Sequence, residues 1–218
     1  MTNRMPRLAR LLAVLGLAAA AGSCTTQFEA EPSIPEPLIE KIPLVIGVYL
    51  SPEFRTKVYA EERDGGDYSI SIGKAQTDGF MRLMSALFEQ AIPVDAVDAA
   101  ARTDPRIRGV IEPVLEDFAF VTPYDSGTDA YAVSLRYKVT GYRADGQVVD
   151  SWTFTGYGAA KNEGMLPSGE EALRTAVRLA MRDAGAKLAT ELRDQAVVRG
   201  LLPASDAAPA PAEVTPPP

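Results

Sequence analysis

The stretch from Tyr131 to Tyr142 constrains the fold most, because Tyr131, Val133, Leu135, Tyr137 and Val139 alternate with Ser134, Arg136, Lys138 and Thr140. A period of two places the first set on one face of a β-strand and the second on the other, so the strand needs a core on one side and water on the opposite side. Two neighbouring stretches, 109–121 and 147–157, have strand composition, and Asp145-Gly146 ahead of the last is a tight-hairpin signal. Pro113 has no N–H to give a ladder, which predicts an edge or a bulge at that point.

Upstream, residues 44–50 form a continuous apolar run between Pro43 and Pro52 and read as a buried strand. Stretches 57–61 and 68–72 flank Asp64-Gly65-Gly66-Asp67 and read as a hairpin. Phe80, Leu83, Met84, Leu87, Phe88 and Ala91 recur at helical spacing, which predicts a helix over 76–91 ended by Pro93. A short helical turn is expected within 96–108. Ser168-Gly169-Glu170-Glu171 is a capping box opening a second helix, with Leu173, Ala176, Val177, Ala180, Ala184, Leu188 and Leu192 on one stripe. So much alanine permits close approach to a sheet. The expected fold is α+β: an antiparallel sheet of about five strands with two helices packed on one face.

These elements occupy 44–199 as a single domain, and the 46% hydrophobic and 23% charged composition suits one globular core. Residues 1–23 read as a signal peptide: Arg4, Arg7 and Arg10 precede the apolar run Leu11 to Ala21, far short of the roughly 20 residues that a membrane-spanning helix needs. Residues 24–43 read as an anchor and tether. Pro32, Pro35, Pro37 and Pro43 hold such a segment extended, and at about 3.1 Å per residue Thr25 to Pro43 reaches about 60 Å. Residues 200–218, mostly alanine and proline, read as a disordered tail.

The formal net charge is −7, and removing residues 1–23 leaves 19 basic against 29 acidic residues, a net charge of −10. A surface that acidic repels phosphate backbones and argues against nucleic acid as a partner. One cysteine and no histidine exclude an internal disulfide, a Cys/His zinc site and any nucleophile that relies on a histidine base. No cofactor or metal is expected. The carboxylates Glu61, Glu62 and Asp64, and Glu112, Glu116 and Asp117, lie along single strands or turns rather than on opposed segments, so a hydrolase acid and base are not expected from them. The chain reads as non-enzymatic. Tyr124, on the small polar loop 122–130, is a candidate partner contact, and Trp152 and Phe154 are candidate core.

Ala21-Gly22-Ser23-Cys24 resembles the lipobox of bacterial lipoproteins, with alanine at the first position where leucine is commoner. The resemblance implies cleavage before Cys24 and acylation of that residue, palmitate included. Thr25, in place of aspartate, implies transfer to the outer membrane with the domain on the periplasmic side. Ordinary cleavage with Cys24 left as a free thiol is the rival reading. Across residues 44–195 the order of elements, with the hairpin Gly141 to Val149 ahead of a last strand and long helix, is similar to envelope-assembly lipoproteins: the lipopolysaccharide-assembly lipoprotein and those with curli-secretion-like or TolB amino-terminal-like domains. That resemblance implies an accessory role by contact with an envelope protein complex in assembly, secretion or transport. A second reading is a binding module for a lipid or glycan held between the sheet and the alanine-rich helix.

Overall fold

The computed structural model describes residues 25–34, 40–63, 66–161, 169–195, 198, 200 and 201. In chain order the elements are β1 (Thr25–Glu29), β2 (Ile42–Tyr49), α1 (Pro52–Arg55), β3 (Val58–Arg63), β4 (Gly66–Ser71), α2 (Gly73–Leu87), β5 (Phe88–Val94), α3 (Ala100–Thr103), β6 (Gly109–Val121), α4 (Pro123–Ser126), β7 (Ala130–Arg143), β8 (Val148–Lys161) and α5 (Gly169–Glu191), followed by a 3-10 turn over Leu192–Asp194. They form a five-stranded sheet in the order β5-β2-β6-β7-β8 and a three-stranded sheet in the order β1-β4-β3.

The alternation in β7 sets the large sheet. Val133, Leu135, Tyr137 and Val139 are buried, and they pair with β6 on one side and β8 on the other in antiparallel register. The expected α+β class and five-stranded sheet are present, but the sheet is mixed: β2 runs parallel to both β5 and β6. The parallel strand that the sequence hid is β5. Helix α2 ends at Leu87 rather than at residue 91, and Phe88 takes extended geometry at once (φ −109°, ψ 159°). Phe88 pairs with Ile42 and is fully buried, so its place in the apolar series is kept while its backbone belongs to a strand. Pro93 lies in that strand, at the sheet edge where a missing donor costs nothing. Pro113 is accommodated similarly. β2 pairs with β6 only from Gly109 to Ile111, so β6 has a free edge by residue 113, and its bulge falls later, between Leu115 and Asp117.

Helices α2 and α5 share one core with the inward face of the large sheet, through Leu83, Met84, Leu87, Leu173, Val177 and Met181 against Ile46, Ile111 and Leu135. Full burial of such side chains stabilises by about 1.5–3 kcal/mol each. At the β5-β2-β6 end the opposite face carries a smaller cluster of Val94, Ala100, Ile107 and Val110, roofed by residues 95–108. Helix α5 reaches β8 through paired small residues. A Cβ on Gly156 would sit 2.6 Å from the Ala184 Cβ, and one on Gly158 would meet the Ala176 carbonyl oxygen and stand 2.9 Å from the Leu179 carbonyl carbon. The alanine stripe has the close-packing role that its composition suggested. The capping box at Ser168 lies outside the described residues.

Residues 25–34 are not a tether. β1 pairs in parallel with β4 from Thr25↔Asp67 to Glu29↔Ser71, and Phe28, Ala30 and Ile34 are buried. Ile34 seats between two helices, where it would collide with a Cβ on either Gly79 or Gly185. Arg174 fixes β1 further by donating to the Glu29 carbonyl at 3.0 Å and stacking its guanidinium on Phe28. The prolines and acids that suggest a spacer border a strand whose alternate residues are core. At the other end Leu201 is buried against the flank of Gly109, so the domain extends past residue 199. Residues 202–218, which make up most of the expected tail, lie outside the described residues.

Candidate functional site

Between the sheet and α5 lies a cavity of about 10 Å³, lined by Ile34, Phe54, Gln76, Phe80, Tyr137 and Leu188. That is room for about one water, against several hundred Å³ in small-molecule pockets. Its polar groups are spoken for. Gln76 donates to the Phe54 carbonyl at 2.6 Å, and the Tyr137 hydroxyl donates to the Gln76 carbonyl oxygen at 3.4 Å. Burial pushes the Tyr137 phenol well above its ordinary range. Two surface clefts are larger, about 220 Å³ beside Glu53, Lys57 and Glu112 and about 310 Å³ beside Glu29, Glu31 and Lys74; charges of both signs edge them.

Among the described residues no element covers the outward face of β6-β7-β8. The register brings Val121, Ala132 and Ala159 into one row and Ala119, Ser134 and Tyr157 into the next, and all of these except Ser134 are exposed. Tyr157 is 63% and Val121 42% exposed. Farther along the same face Asp117 pairs with Arg136 and Val114 with Lys138. This face offers a small apolar area next to charges on a continuous run of three paired strands.

The site residue Tyr124 is 81% exposed on α4. Its helix is a single turn, fixed at both ends. Thr122 accepts from the Asp125 amide while the Asp125 carboxylate takes the Thr122 amide, Pro123 occupies the first turn, and Gly127 closes the helix with φ +68°. The Asp125 carboxyl is held below its ordinary value by those Thr122 hydrogen bonds and by Arg63. Arg63 ties this helix to the small sheet: it pairs with Asp125 at 3.0 Å and Glu61 at 2.7 Å, donates to the Phe120 carbonyl, and lies 3.9 Å above the Phe120 ring. Beneath it Tyr59 stacks on Phe118 at 4.4 Å, and its hydroxyl meets Glu61. Burial and then Glu61 push the Tyr59 phenol up to about 12, while Arg63 keeps the Glu61 carboxyl low.

Cys24, the other site residue, lies outside the described residues, as does Asp64. The remaining carboxylates do not converge. Glu61 serves Arg63 and Tyr59, Glu112 accepts from the Tyr142 hydroxyl at 2.6 Å on the opposite side of the large sheet from the helices, and no group of three metal-ligating side chains occurs among the described residues. Trp152 and Phe154 stack at 4.6 Å, with Phe154 buried and Trp152 packed on the core, as expected. No family model matches the sequence, and no curated protein matches it. The chain shares its fold with protein XCC0632 from Xanthomonas campestris, described under the family model DUF330, at a TM-score of 0.50 and 13% identity over 75% of this chain and 93% of that one. A neuraminyllactose-binding hemagglutinin homolog from Helicobacter pylori superposes at a TM-score of 0.43 with 9% identity, over 75% of this chain and 92% of its own. At such identity the first likeness is one of fold.

Two features escaped the sequence reading. The Thr122–Asp125 cap was readable as Thr-Pro-x-Asp, a cap followed by proline and an acid three residues on. The Arg63 cluster was half readable: Tyr59, Glu61 and Arg63 share one strand face, but their partner Asp125 comes from a distant segment.

Proposed function

We propose that the chain is a bacterial envelope lipoprotein, acylated on Cys24, that acts as a non-enzymatic accessory subunit by protein contact on the periplasmic side of the outer membrane. The observation that carries this reading is the pairing of a nearly filled space beneath α5 with an exposed sheet face. The cavity between the sheet and α5 has space for about one water, whereas Ala132, Ala159 and Tyr157 stand exposed together on the sheet. A small apolar patch with Arg136 and Lys138 beside it suits a protein surface carrying apolar and acidic groups. The cavity between the sheet and α5 gives no support to a lipid or glycan carried there.

Photo-crosslinking residues placed at Ala132 and at Tyr157, with a third at Glu191 on the far end of α5 as control, test the contact. One adduct of constant mass from the first two positions and not from the third supports the reading; no adduct, or identical adducts from all three, overturns it. Fatty-acid labelling that is lost in Cys24→Ala tests the anchor separately.

A further inference from the structure

We propose that the end of the domain formed by Glu62, Arg63 and α4 rests on the lipid surface, with Tyr124 seated among the headgroups. The proposal depends on acylation of Cys24 and adds what the fold does to that anchor. Strand β1 begins at Thr25, the residue after Cys24, and consecutive Cα atoms are about 3.8 Å apart. Thr25 is held in register against Asp67, and Phe28 and Ala30 are buried three and five residues further on. A lipid on Cys24 would therefore be one residue from a strand end that is held in register. Whatever plane holds the acyl chains also holds this end of the small sheet.

The same end carries α4. Asp67 pairs with Glu62, and Arg63 follows, two strands or about 10 Å across from β1. The Arg63 guanidinium then reaches Asp125 at 3.0 Å and the Phe120 carbonyl at 3.1 Å. Tyr124 projects from a turn capped at both ends, at 81% exposure, with Val121 42% exposed beside it. A tyrosine ring, apolar in its body and polar at its tip, suits the headgroup level of a bilayer. Asp125 and Asp129 here are ion-paired, with Arg63 and Lys161, so it is the net charge of −10 on residues 24–218 that sets the lipid class as zwitterionic, because anionic headgroups would be repelled.

The test uses the full acylated chain in phosphatidylcholine–phosphatidylethanolamine vesicles. The thiol of Cys24, the sole native cysteine, is consumed by acylation, so Tyr124→Cys and Val121→Cys each provide one site for a nitroxide. Val148→Cys is the reference: Val148 pairs with Tyr142, ten residues or about 33 Å along β7 from the Ala132 partner of Val121. The expected result is a reversal in paramagnetic accessibility. Labels at 124 and 121 should favour oxygen over a water-soluble nickel complex, and the label at 148 should favour nickel. Water-like accessibility at 124 and 121 in protein that floats with the vesicles would overturn the proposal and leave the anchor standing. Protein that does not float and whose intact mass shows unmodified Cys24 would overturn both.

Discussion

Replacing Gly156 by alanine tests whether the contact between α5 and β8 is as close as the geometry shows. The new Cβ would meet the Ala180 carbonyl oxygen most closely and stand 2.6 Å from the Ala184 Cβ and 2.7 Å from the Ala184 nitrogen, and ordinary contact begins at 3.4 Å. The helix must therefore retreat by roughly 1 Å, in an interior packed as densely as a molecular crystal. It cannot retreat without cost. Asp183 accepts the Tyr157 amide at 2.9 Å, and Lys187 donates to the Thr155 carbonyl, so the helix also satisfies the outer edge of β8. Overpacking costs about 1–3 kcal/mol, and the strained edge bonds add to it. Against this stands a gain of about 0.4–1 kcal/mol that glycine-to-alanine exchange brings through the unfolded chain. The net expectation is a loss of about 2 kcal/mol, or a fall in Tm of about 4–8 °C for a domain of this size. Thermal melts followed by far-UV circular dichroism read it, and faster hydrogen exchange at the Tyr157 amide should accompany the loss. An unchanged or higher Tm would refute the close packing, since the unfolded-state gain would then act alone.

Three further outcomes follow from single contacts. Gln76→Leu leaves the buried Phe54 carbonyl and Tyr137 hydroxyl unpaired and should cost about 2–3 kcal/mol in urea unfolding, whereas Tyr137→Phe, which removes only a 3.4 Å bond, should cost under about 1 kcal/mol. Ile34→Ala should cost about 2–4 kcal/mol because the side chain fills the gap between α2 and α5; a tether residue would change stability by no more than about 0.5 kcal/mol. Tyr59 and Tyr142 are each pushed up to about 12, by burial first and then by Glu61 and Glu112 respectively. With the folded value above the unfolded value of about 10, their contribution is complete below pH 10 and is lost as pH rises from there to about 12. Denaturation midpoints measured over that range should fall, and they should fall less steeply in Tyr59→Phe and Tyr142→Phe.

What was legible in the sequence was what depends on one segment at a time. The alternation in β7, the Asp145-Gly146 turn and the stripe of α5 each carry their own period, and the structure keeps all three. What was hidden depends on pairing between segments. Phe88 continues the helical series of Leu83, Met84 and Leu87, yet its backbone is extended, because the partner that fixes it, Ile42, lies far back in the chain. Phe28, Ala30 and Ile34 look unremarkable among prolines and acids, and their burial follows from β4 and the two helices that enclose them. The same holds at the candidate site. Exposure of Tyr124 was readable from its polar loop, whereas the capped helix that fixes it depends on Arg63 reaching across from the small sheet.

That dependence also determines how a partner can approach the large sheet. Strand addition requires a row of unpaired donors and acceptors at an edge. At β8 the Tyr157 amide and the Thr155 carbonyl are taken by Asp183 and Lys187, and this pair is itself an ion pair at 2.9 Å. Burial alone would raise the Asp183 carboxyl, but Lys187 and the Tyr157 amide outweigh it and hold it low, so those two edge groups stay taken at neutral pH. At β5, Pro93 breaks the row of donors and Glu89 stands exposed beside it. With both edges interrupted, the proposed contact is expected to use the side chains of the open face. Exchanging Tyr157 or Ala132 should then weaken contact more than any change along β5.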